Sequence, residues 1–286
     1  MKANEINIRD PFILLDNGKY YMYGSRGYEL WGECTGLDVY VSEDLIEWSE
    51  PVAAFQRPAD FWADKNFWAP EVHKYNGAYY MFATFKGDGR ERGTQILKAD
   101  SPMGPFLPHS NGPVTPAQWS CLDGTLYVED GKPYMIFCHE WTQIRDGEMC
   151  CLPLTDDLTA PAGEPRVLFK ASSLPYGSDS LHNGFVTDGP FLHRMKDSKL
   201  IMIWSSFDEN GYVEAVAVSE NGSIHGAWRH CEKPLSAENG GHGMLFCAKD
   251  GTLYFTMHSP NTPNRAERVR IFPLREIGEE PYLEFV

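Results

Sequence analysis

Basic residues are scarce in this chain: 25 Lys and Arg stand against 40 Asp and Glu, for a formal net charge of −15. That deficit argues against nucleic acid or an anionic membrane surface as partner, because both need clustered cations. Long apolar runs are also missing; nothing approaches the roughly 18 residues a transmembrane helix requires. The opening Met1 to Asn7 is short and polar and does not read as a signal peptide. Cysteine is sparse and odd in number, seven in all, with no Cys-x-x-Cys spacing, which speaks against a thiolate zinc site. Most of the cysteines lie in apolar strand-like runs and read as buried free thiols, which fit a reducing compartment. The expected location is cytoplasmic or, for a protein whose leader has been removed, periplasmic or secreted. No segment of consequence carries helical periodicity.

What is present is a repeated hairpin. Ile8 to Ser25 is an apolar run, an Asn17-Gly18 pair suited to a two-residue turn, and a returning run of aromatics. The same pattern recurs from Glu71 through Asn76-Gly77 to Thr84, and from Asp123 through Asp130-Gly131 to Cys138. Two more copies run from Asp188 to Ser205 and from His242 to Met257. The turns fall about 50 to 70 residues apart, the spacing of four-stranded propeller blades. After each hairpin come a third strand and a polar elbow such as Ser42-Glu43-Asp44-Leu45 or Thr155-Asp156-Asp157-Leu158. The prediction is an all-β, five-bladed β-propeller forming one domain, with blades at about 8–55, 67–110, 121–169, 185–235 and 241–286.

In a propeller the first strands line the axis and start at one mouth. The starting residues here are Asp10, Glu71, Asp123, Asp188 and His242. Four carboxylates and an imidazole around one opening would repel one another and resist desolvation, so a purely structural role is hard to justify. The second strands return to the same mouth, ending at Ser25, Thr84, Glu140 and Ser205, where a glutamate stands among small hydroxyls. Paired carboxylates, one ionised and one kept protonated, are what glycosidic bond hydrolysis needs. Trp31, Trp68, Trp119, Trp141 and Phe207, in loops at that end, are candidate sugar-stacking residues beside Glu71, and Phe67 lies among them.

These residues resemble the motifs of glycoside hydrolase family 43, over essentially the whole chain. Arg9-Asp10-Pro11 is similar to the blade-one motif with the catalytic base. Phe67-Trp68-Ala69-Pro70-Glu71 is similar to a Trp-Ala-Pro-Asp motif, with Glu for Asp. Leu122-Asp123-Gly124 is similar to the segment whose Asp tunes and orients the acid. Thr187-Asp188-Gly189-Pro190 stands where the family has Glu-Gly-Pro with its general acid, and Gly241-His242-Gly243 is similar to the segment whose imidazole faces the axial channel, near a cation or water.

The resemblance implies an inverting hydrolase removing terminal arabinofuranosyl, xylosyl or galactofuranosyl residues from plant or microbial glycans, most simply an α-L-arabinofuranosidase. No cofactor is needed for the chemistry, and a structural Ca²⁺ at His242 is an expectation. Asp188 is one methylene shorter than Glu, and acid catalysis depends on reach. Two assignments therefore stand open: Asp188 as acid, or Glu140 as acid with Asp188 binding a sugar hydroxyl. The alternative class is a carbohydrate-binding propeller without turnover.

Overall fold

The computed structural model describes residues 1–286. Twenty strands form five separate four-stranded antiparallel sheets, each ordered as its strands follow in sequence. The sheets span residues 8–56, 65–108, 121–170, 188–230 and 241–285. The expected hairpin turns are present: Asn17-Gly18, Asn76-Gly77 and Asp130-Gly131 all take positive φ at both positions, the geometry that matches strand twist. No helix is long and apolar enough to cross a membrane. One four-residue α-helix, Trp141–Ile144, was not expected; it is too short for periodicity to register.

The core lies between blades rather than inside one. Phe82, Ile96, Phe137 and Cys150 fill the space between blades two and three. Met149, Phe169, Met202 and Trp204 do so between three and four, and Val216, Phe255 and Met257 between four and five. Blade five closes on blade one through Met22, Met244 and Phe246. The N-terminal segment fastens that seam, with Asn7 donating to the carbonyls of Arg265 and Glu267. All seven cysteines are free, six buried and Cys247 exposed.

Every first strand carries a break in register near its start, at Arg9/Phe12, Trp68/Glu71, Leu122/Thr125, Asp188/Phe191 and Gly241/Met244. At each break one residue takes positive φ: Asp10 at 56°, Ala69 at 45°, Asp123 at 57°, Gly189 at 50° and His242 at 51°. Such bulges re-aim side chains at the rims of closed sheets, and non-glycine residues there carry strain typical of functional sites.

Candidate active site

The bulges also explain the small hydroxyls. In four blades the bulge N–H is aimed at the end of the preceding blade's second strand. Ala69 N donates to Ser25 Oγ (2.8 Å), Asp123 N to Thr84 Oγ1 (2.9 Å), His242 N to Ser205 Oγ (2.6 Å) and Asp10 N to His258 Nδ1 (3.2 Å). In blade three the matching position is Cys138, opposite Leu122. The sequence reading that set Glu140 in this series is corrected: Glu140 lies two residues further, at the start of the short helix. The bulge N–H of Gly189 instead goes to Asp123 Oδ2 (3.0 Å), so Asp123 positions the backbone beside Asp188.

The structure brings Asp10, Asp123, Glu140, Asp188 and His242 into one pocket of about 350 Å³, together with Trp31, Trp68, Trp141 and Phe207. Glu71 and Trp119 are not brought there. Glu71 sits two residues past its bulge and faces His73 Nε2 at 3.1 Å, because two steps along a strand move a side chain down the same face. Trp119 stacks on His139 at 4.2 Å and lines a neighbouring cleft.

Asp10 accepts a hydrogen bond from Ser25 Oγ (2.5 Å) and lies 3.2 Å from His242 Nδ1. Burial works against its charge, but His242, Arg9 and the Ser25 hydroxyl outweigh it and hold the carboxyl below the usual range. His258 also approaches Asp10, at 3.5 Å, yet the same Nδ1 already accepts the Asp10 N–H. Burial and the Arg9 charge push His258 down to about 3, so this contact is no ion pair. Burial lowers His242 too, but Asp10, Asp123 and Asp188 lift it to about 9, making it the cation that binds the carboxylates together.

Asp123 and Asp188 are pushed the other way. Burial, with the charges of Asp188 and Asp10, raises Asp123 to about 8; burial, opposed by His242 and the Tyr212 hydroxyl, raises Asp188 to about 6. Asp188 is partly exposed to the pocket whereas Asp10 and Asp123 are buried. Tyr212 Oη donates to Asp188 Oδ2 at 3.0 Å. Glu140 differs again: Arg92 pairs with its Oε2, which also accepts from Ser120 Oγ (2.8 Å).

The aromatics divide by what covers them. Arg92 lies 4.5 Å over the Trp68 ring, and Trp31 meets it edge-on at 5.3 Å. Phe207 is capped by His182 at 4.2 Å, and Trp141 contacts the same imidazole. Trp31 is 64% exposed and keeps an open face at the rim.

Several residues at this site had no assigned role in the sequence reading. Arg9 reaches Asn261 and the buried Glu267. Tyr212 opens a third strand with no local mark of its function. Glu214, fully buried, accepts from Ser205 Oγ (2.7 Å) and Gly243 N (3.2 Å) and so braces the His242 bulge from behind. Burial pushes it up to about 7. Around His242 no group of three or more His, Cys, Asp and Glu side chains is arranged to hold a metal. Nδ1 of His242 is engaged with Asp10 and Asp123 instead.

A retained proton and a held carboxylate in one pocket with aromatic walls suit hydrolysis of a glycosidic bond. The chain is similar over 97% of its length to the crystal structure of an endo-arabinase from Bacteroides thetaiotaomicron VPI-5482, with 40% identity, a TM-score of 0.90 and 98% of that chain covered. An extracellular endo-alpha-(1->5)-L-arabinanase of Bacillus subtilis (strain 168) is 23% identical over 50% of this chain and 46% of its own. A xylosidase/arabinosidase of Bacteroides ovatus is 26% identical over 56% of this chain and 58% of its own, so the matches span about half of these curated relatives. Residues 5–277 match the model of Glycosyl hydrolases family 43, and the chain belongs to that family of glycoside hydrolases.

Proposed function

We propose that this hydrolase cleaves α-L-arabinofuranosidic bonds with inversion, with Asp10 as general base and Asp188 as general acid. The observation that carries the assignment is the unlike pair of environments: Asp10 is held ionised by His242 and Ser25, while Asp188 is raised to about 6 and opens to the pocket. Asp10 takes a proton from the attacking water; Asp188 gives one to the departing oxygen. Asp123 is a positioning residue, holding Gly189 and sharing the buried volume that keeps a proton on the pair.

Glu140 is assigned to sugar binding. Its carboxyl pairs with Arg92 and accepts from Ser120 Oγ, an arrangement suited to holding a sugar hydroxyl. Likeness to an endo-arabinase, an endo-arabinanase and a xylosidase/arabinosidase supports the arabinofuranosyl choice. Removal of terminal residues is the primary mode; the likeness to an endo-arabinase favours internal cleavage as the second reading.

Linear α-1,5-arabinan with product sizing separates the two: arabinose alone from the first minutes supports terminal cleavage, and a ladder of oligosaccharides supports internal cleavage. No turnover on arabinan or any nitrophenyl furanoside or xyloside would leave the sugar-binding propeller as the better account.

A further inference from the structure

A second cavity, about 750 Å³, meets the pocket at Arg92, which lines both. Its character is different. Few apolar side chains face it, so a ligand there is recognised by hydrogen bonds and charge. Lys86, Arg90 and Arg92 line it with one carboxylate, the exposed Glu91. Arg92 is neutralised by Glu140, whereas Lys86 and Arg90 have no carboxylate within ion-pair distance.

Arg90 is exposed, with its head group resting on an aromatic ring. Its guanidinium lies 5.7 Å over the Trp62 ring, and its carbonyl accepts from Lys86 Nζ. A Cβ placed on Gly112 across the cleft would meet Arg90 Nη1 at 3.8 Å, so the head group reaches the opposite wall. None of its side-chain donors is spent within the protein, since every intramolecular partner of Arg90 uses the backbone. A planar guanidinium with free donors matches a carboxylate in bidentate fashion. A chain of net charge −15 repels acidic ligands at long range, but at physiological salt that field fades within about 8 Å and the local cations decide.

We propose that this cleft binds a uronic acid unit carried on the leaving-group side of the glycan, with Arg90 gripping its carboxylate and Lys86 adding a second positive charge. The inference rests on the arabinofuranosidic reading of the pocket, which it extends to a charged substrate class.

The test compares arabinofuranosyl oligosaccharides bearing a uronic acid with their methyl esters, which lose the charge and gain one methyl group, using wild type, Arg90→Gln and Arg90→Lys. Wild type should favour the acid over the ester by about 3- to 10-fold in kcat/KM, the range for a charge-assisted pair at a partly exposed site. Arg90→Gln should lose most of the preference, with Lys86 keeping the ratio slightly above one, Arg90→Lys should keep more of it, and nitrophenyl arabinofuranoside turnover should stay unchanged in both. An equal or lower rate on the acid in wild type, or a ratio untouched by Arg90→Gln, overturns the proposal. If neither arabinan nor the nitrophenyl arabinofuranoside is turned over, the reading of the pocket fails by itself. Calorimetric titration of a uronic acid oligosaccharide against its ester then decides the cleft, tighter binding of the acid supporting it and equal binding overturning it.

Discussion

Replacing Tyr212 by Phe removes one hydroxyl and keeps the ring, which makes it a clean probe of the acid. The hydroxyl donates to Asp188 Oδ2 at 3.0 Å and therefore stabilises the ionised form. A hydrogen bond to a charged group contributes about 1.5–3 kcal/mol, and one pKa unit corresponds to about 1.4 kcal/mol. Because Asp188 is open to the pocket, water can replace part of the lost bond, so the expected rise is about one unit. The sign follows: the acid must be protonated to act, so the alkaline limb of kcat/KM is set by Asp188. That limb should lie near the value of about 6 in wild type and move upward in Tyr212→Phe. The acidic limb, set by Asp10, should stay where it is. The assay is kcat/KM for an arabinofuranoside with a poor leaving group, measured from about pH 4 to 9. An unmoved alkaline limb in Tyr212→Phe, accompanied by a shift in Glu140→Gln, would place the acid at Glu140 and refute the reasoning.

Other consequences follow from the same contacts. Asp188→Asn should lose about 10²- to 10⁴-fold on an alkyl or sugar leaving group but little on a dinitrophenyl one, which departs without a proton, while Glu140→Gln should lose similarly on both. Trp31→Ala should raise KM by about 2- to 10-fold with kcat nearly unchanged, since an exposed stacking face contributes roughly 0.5–1.5 kcal/mol, and Trp119→Ala should leave nitrophenyl arabinofuranoside kinetics alone. Glu214 has a folded pKa raised from 4.5 to about 7, so its contribution to stability is complete below 4.5 and is lost as pH rises through 7. Thermal melts should therefore show Glu214→Gln gaining on wild type between pH 5 and 8, by at most about 3 kcal/mol; parallel curves across that range would contradict this. A methyl group on Gly243 would sit 2.1 Å from Phe255 Cε2, so Gly243→Ala should cost about 1–3 kcal/mol in chemical denaturation and disturb the His242 bulge.

The fold was legible because four of the five hairpins announce themselves locally through Asn-Gly and Asp-Gly turns, and all five through apolar or aromatic return strands. The carboxylates were legible because Asp10 and Asp123 interrupt runs that otherwise read as buried strand. What misled was register. A bulge in every first strand moved the aligned positions to Ala69 and Gly189, which left Glu71 below the pocket and Asp188 one residue before its bulge. Local pattern cannot report a bulge whose cause is an N–H reaching the neighbouring blade. Tyr212, Arg92 and Glu214 were silent for a related reason: each acts through a partner outside its own segment, and nothing in that segment marks it. The hydroxyls Ser25, Thr84 and Ser205 carried the opposite lesson, since their repetition marks inter-blade hydrogen bonds as well as a site.

The central claim is that Asp10 and Asp188 act on opposite sides of the bond, through water. Its most direct test is the configuration of the first sugar released from an α-L-arabinofuranoside, followed by proton NMR in the first minutes of turnover. The β anomer should appear first and the α anomer only as mutarotation proceeds. Initial release of the α anomer would mean a covalent intermediate on one carboxylate, and the assignment of Asp10 as a base would fail.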